Sequence, residues 1–131
     1  MPYTYEIDAG RQLVACRAWG DLTDDDVRRL YAKLMADPKF HPTFRQLTDL
    51  RETTDLSITP RFVVSLAQER YFAPGAKRAY VAEADFQYGS AKMFAALAEM
   101  SGQRVSVFRT MEEAERWLGE PRVRLGSRPA E

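Results

Sequence analysis

Arg104-Val-Ser-Val-Phe-Arg-Thr-Met-Glu-Glu-Ala-Glu-Arg-Trp-Leu-Gly119 contains a whole strand-then-helix unit. The β-branched run over residues 104–109 reads as a strand. Thr110 is suited to N-cap the helix that follows, with Glu113 three residues on to close a capping box. Met111, Ala114, Trp117 and Leu118 recur at helical spacing, so Trp117 is expected in the core, and Gly119 suits the stop. A βα unit of this kind argues for an α/β fold.

Working outward, the same alternation recurs. Tyr3–Asp8 and Gln12–Trp19 are strand-like runs joined by Ala9-Gly10-Arg11, a hairpin signal. Gly20-Asp21-Leu22-Thr23 ends the second run and caps a helix whose first turn holds Asp24, Asp25 and Asp26, where negative charge offsets the helix dipole. Val27, Leu30, Tyr31 and Leu34 form its apolar stripe, and Asp37-Pro38 ends it. Arg45–Leu50 reads as a short strand and Arg51–Ser57 as polar and irregular. Thr59-Pro60 starts a second helix, expected to run to about Tyr71. Lys77–Glu83 is a further strand, and a third helix spans about Phe86 to Ser101. The order ββαβαβαβα implies a mixed sheet with an antiparallel hairpin, then parallel strands joined by right-handed crossovers and flanked by helices. Residues 1–119 form one domain, and Glu120–Glu131, without periodicity, is expected to be a flexible tail.

Composition narrows the function classes. The chain has 131 residues, 45% hydrophobic and 29% charged, with formal net charge zero. That is an ordinary globular balance, with no global pull toward nucleic acid or anionic lipid. The single cysteine, Cys16, excludes an intramolecular disulfide and a cysteine-rich zinc site. No apolar run approaches the ~20 residues that cross a bilayer, and no basic-then-apolar leader is seen, so the expected compartment is the cytoplasm. No catalytic, cofactor or metal motif stands out. His41 reads as an exposed loop residue and Cys16 as a packed one.

Four stretches, in this order and spacing, are similar to the SpoIIAA-like family, relatives of the STAS domains of bacterial anti-sigma factor antagonists and anion-transporter tails. They are Gly20-Asp21-Leu22-Thr23, Thr48-Asp49-Leu50-Arg51, Lys77-Arg78-Ala79-Tyr80-Val81-Ala82-Glu83, and Val107-Phe108-Arg109 with Glu112-Glu113-Ala114-Glu115-Arg116-Trp117-Leu118. The resemblance implies an α/β sandwich with a binding or regulatory role. In the antagonists a serine that follows an aspartate, at the start of the helix after the third strand, is phosphorylated. Here the equivalent stretch is Asp55-Leu56-Ser57-Ile58-Thr59-Pro60, in which aspartate and serine are not adjacent and the glycine-rich turn is missing. Ser57 is the candidate phosphoacceptor, although Ser57 and Thr59 read more simply as caps of the second helix.

Two groups of residues are candidates for function. The carboxyl ends of the strands, where open α/β sheets gather ligands, collect Asp49, Arg51, Glu83, Asp85 and Arg109. Structural ion pairs explain such charges more simply than acid–base catalysis. The second and third helices carry more apolar surface than one packing face needs, with Phe62, Val64, Tyr71, Phe72, Met93 and Met100 as candidate interaction or ligand residues. The leading expectation is a non-enzymatic module that binds a protein partner or a second copy of itself. The alternative is a carrier or sensor of a small apolar, lipid-like molecule held beside those helices, and an enzyme comes third.

Overall fold

The computed structural model describes residues 2–128. Strand β1 (Tyr3–Asp8) pairs antiparallel with β2 (Leu13–Thr23), Tyr3 facing Ala18 and Asp8 facing Leu13. Helix α1 (Asp24–Ala36), β3 (Arg45–Ser57), α2 (Pro60–Gln68), β4 (Lys77–Val81), α3 (Asp85–Met100), β5 (Arg104–Phe108) and α4 (Met111–Leu118) follow. The five strands lie in sequence order, and every pair after the hairpin is parallel. The mixed sheet expected from the element order is therefore the one observed.

Each parallel connection runs to the adjacent strand, so right-handed crossovers send α1, α2 and α3 to the same face. The core on that face joins Val14, Cys16, Leu30, Leu34, Val63, Phe72 and Phe94. The opposite face packs Leu13, Ala15, Leu47, Ala79 and Val81 against Ala114 and Leu118 of α4. Alternation along β2, β3 and β4 feeds both layers, as expected of central strands covered on both sides.

Local chemistry starts and stops the helices. The Thr23 hydroxyl accepts from Asp26 N–H, and the Asp26 carboxylate accepts from Thr23 N–H, closing a box at the head of α1. Thr59 caps α2 ahead of Pro60, as expected. Ala84 has no side chain to cap α3, and the Gln87 amide oxygen accepts from Glu83 and Ala84 N–H instead. Thr110 caps α4 by accepting from Glu113 N–H, but the Glu113 carboxylate accepts from the Thr110 hydroxyl and not from its N–H, so the expected box is not closed. Gly119 ends the helix in the left-handed region at φ 77°. Lys77 and Arg45 donate to the Trp117 and Leu118 carbonyls, placing positive charge on the last turn of α4.

Four further expectations need correction. β3 does not end at Leu50 but continues to Ser57, pairing with Trp19–Thr23 of β2, which itself runs through the break expected at Gly20. It carries an extra residue at each of two register shifts, one of which adjoins Gly20 at φ 65°. Helix α2 stops at Gln68, so Tyr71 and Phe72 lie beyond it. Trp117 is only half-buried, lying on Phe108 with Lys77 and Arg104 over its ring. Residues 120–128 form no helix or strand, yet they pack on the second face: Val123 is buried there, and Glu120 pairs with Arg45 at 2.5 Å. Arg17 donates to the Gly126 carbonyl, and a Cβ on Gly126 would stand 3.2 Å from Thr4. The rest of the expected tail, 129–131, lies outside the described residues.

Candidate ligand-binding site

A cavity of about 120 Å³ lies between the sheet and the layer of α1, α2 and α3. Cys16, Thr48 and Tyr80 form its floor and share one row of the sheet. Leu30, Val63 and Phe94, one from each helix, form its roof. It reaches the surface beside Met93, which is 44% exposed, and the half-buried Ile58, Leu66 and Ser90. The lining is mainly apolar, and a concave apolar space with few polar groups is the usual form of a small-molecule site.

Beneath this cavity lies a buried polar network. Arg78, 2% exposed, donates from Nε to the Gln46 amide oxygen at 2.8 Å and from Nη1 to that of Gln103. Its Nη2 donates to the Tyr31 and Tyr80 hydroxyls at 2.8 and 3.2 Å. Those two hydroxyls lie 3.3 Å apart. Phe72 and Phe94 lie 4.5 and 5.5 Å from the guanidinium carbon. Burial and the neighbouring Tyr31 hold the Tyr80 phenol well above the ordinary tyrosine range. Burial likewise pushes the Cys16 thiol up to about 11, so it stays protonated at neutral pH and is a poor nucleophile.

The structure scatters the residues expected on the second and third helices. Met93 lines the cavity. Phe62 is half-buried under Arg28, and Tyr71 stacks on Tyr31 with ring centroids 4.6 Å apart. Phe72, expected at the surface, is 2% exposed. The reason is local: once α2 ends, the chain turns inward and Ala73 N–H is held by the Pro42 carbonyl at 2.8 Å. Val64 and Met100 are exposed at 44% and 84% and do not line the cavity. Phe86, Met93 and Met100, seven residues apart, instead mark one exposed side of α3.

The strand-end charges form two separate pairings. Asp49, 2% exposed, accepts from Arg51 Nε and Nη2 at 2.9 and 3.0 Å. Arg109 donates to the Glu83 carbonyl and the Asp85 carboxylate and lies 4.0 Å over Tyr88. Ser57 ends the β3 arm and donates to Asp21 at 2.7 Å, while Thr59 donates to Asp24. Of the two, only Thr59 caps the helix. Among the described residues no three His, Cys, Asp or Glu side chains gather as a metal site, and no helix is long and apolar enough to cross a membrane.

Arg78, Gln46, Gln103 and Tyr3 do not stand out in the sequence as site residues. A signal was present: an arginine at an inward position of a strand flanked by strands on both sides is rare without a buried partner.

No family model matches the sequence, and no curated protein is similar to it. Among solved structures, the chain is similar to an uncharacterized protein of the DUF3478 family, with a SpoIIAA-like fold, from Shewanella loihica PV-4. The two share a TM-score of 0.58 at 17% identity, over 88% of this chain and 93% of that one. The fold is SpoIIAA-like. That likeness concerns architecture alone.

Proposed function

We propose that this SpoIIAA-like domain is a non-enzymatic binding protein that takes up a small, mainly apolar molecule between its helix layer and its sheet. The observation that supports this reading is the cavity of about 120 Å³, built from side chains of all three helices and opening beside Met93. A well-packed core of this size has few voids larger than a water molecule, so a cavity edged by an exposed methionine is what a ligand site needs. Toluene, as a probe near tenfold its dissociation constant, should raise the melting temperature by about 3–5 °C through mass action. Ala91 lines the cavity, so Ala91→Leu should fill the space and abolish the shift while the domain stays folded. A wild-type melting temperature unmoved by toluene would reject the reading.

A second reading rests on a different feature. Phe86, Met93 and Met100 expose an apolar line along α3, the kind of surface a protein partner or a second copy covers. Met93 belongs both to this line and to the cavity edge, so an occupied cavity would alter the surface a partner meets. Met100→Glu should then weaken self-association or partner capture, measured by sedimentation, and leave toluene uptake unchanged. Unchanged association in a wild type that does associate would remove α3 as the interface.

A further inference from the structure

We infer that the ligand of this cavity carries an anionic oxygen, and that the site fits a small aromatic or branched carboxylic acid. This rests on the cavity reading above and adds the head group and the size.

The first argument is charge. The Arg78 guanidinium is buried, and its four hydrogen bonds go to two amide oxygens and two phenols, all neutral. Among the described residues no carboxylate forms an ion pair with it. A buried cation held only by neutral acceptors and ring faces keeps an unmatched charge, and the group that best matches it is an anion.

The second argument counts protons. Tyr31 and Tyr80 both accept from Arg78, and their mutual contact uses one of their two O–H protons. The other proton has no acceptor among the described residues. Tyr3, 93% buried by its 7% exposure, has a hydroxyl with no hydrogen-bond partner among them either. All three tyrosines line the cavity. Two O–H donors of cavity-lining tyrosines, one of them in a pair polarised by a cation, are therefore available to an acceptor on a ligand, and buried polar groups of native proteins are almost always paired.

The third argument is volume. An engineered protein cavity of roughly 150 Å³ holds a benzene molecule, so about 120 Å³ suits one ring or a short branched chain. A long acyl chain would have to leave past Met93, which narrows the lipid-like ligand expected from the sequence to a compact acid.

Sodium benzoate, toluene, benzamide and sodium decanoate, titrated calorimetrically into the folded chain, test this. Benzoate should bind at least about tenfold more tightly than toluene or benzamide, the usual effect of a charge-assisted hydrogen bond. Tyr80→Phe and Tyr31→Phe should each weaken benzoate about tenfold and leave toluene unaltered. Tyr3→Phe, which removes a hydroxyl that holds no partner among the described residues, keeps the test valid should the other two variants fail to fold, and it too should weaken benzoate. Equal binding of benzoate and toluene would overturn the head-group assignment and leave the cavity reading standing. Binding of neither would overturn both. Benzoate binding indifferent to every folded tyrosine variant, or decanoate binding more tightly than benzoate, would also overturn the inference.

Discussion

Tyr3 sets ring packing against polar satisfaction within a single residue. Its ring is packed in the main core, yet its hydroxyl is buried with no hydrogen-bond partner among the described residues. Burying an unpaired hydroxyl costs about 1–3 kcal/mol on mutational scales, so Tyr3→Phe should leave stability unchanged or raise it by roughly 1 kcal/mol. Urea denaturation checks this, and a loss above that size would mean the hydroxyl is satisfied by something inside the fold. Gln87 shows the opposite arrangement. Its amide oxygen accepts two backbone N–H groups at the head of α3, and its amide nitrogen donates to the Arg51 and Thr53 carbonyls. One buried side chain thereby closes a helix end and ties it to the bulged part of β3.

At the scale of the element, α4 separates periodicity from burial. Its cap, its stop and its apolar face were all legible in residues 104–119, but Trp117 lies at the margin of that face. Ala114 and Leu118 are buried, while Trp117 is flanked by Phe108, Lys77 and Arg104. Leu118→Ala should therefore cost about 2–4 kcal/mol, and Trp117→Ala less, about 1–2 kcal/mol, because Trp117 packs against the edge of that core and is not fully removed from water. The ranking is the test: a larger loss for Trp117→Ala would return it to the core. The β3 arm shows the converse. Arg51–Ser57 looks irregular because it is polar, yet β2 offers a parallel partner along its length, and backbone pairing outweighs weak strand propensity. Asp24 then ties the arm's end to α1 by accepting from both the N–H and the hydroxyl of Thr59.

Across the whole molecule, the buried and partly buried titratable groups set an alkaline limit. Cys16 is raised by burial from an ordinary 9.0 to about 11, and Tyr5 from 10.0 to about 12 by burial and its hydrogen bond to Asp37. In the folded state these groups keep protons that the unfolded chain has lost. Their contribution is fully present below the unfolded values and is lost as pH rises through the folded ones, because the unfolded state then binds fewer protons. The denaturation midpoint should start to fall above pH 9, with Cys16 alone contributing a loss on the order of 2 kcal/mol by pH 11. Cys16→Ala should delay that onset to about pH 10, where Tyr5 begins to contribute. A midpoint flat from pH 8 to pH 11 would contradict the burial of these groups.

The local signals were sufficient for element order, helix caps and strand direction. A threonine before a charged first turn, a proline at a helix start or a glycine after an apolar stripe acts within a few residues, so Thr23, Thr59, Thr110 and Gly119 could be read directly. Parallel pairing followed from the helices inserted between strands, since a parallel connection needs a crossover. The candidate site was less legible. Of the residues picked for excess apolar surface, Met93 lines the cavity while Phe72 lies in the core, because the turn after Gln68, not periodicity, sets where Phe72 points. The network under the cavity joins Tyr31 on α1, Gln46 on β3, Arg78 and Tyr80 on β4, and Gln103 beyond α3. No spacing along the chain encodes that meeting. Strand register and helix packing bring these side chains together, and both follow from burying each face of the sheet at once.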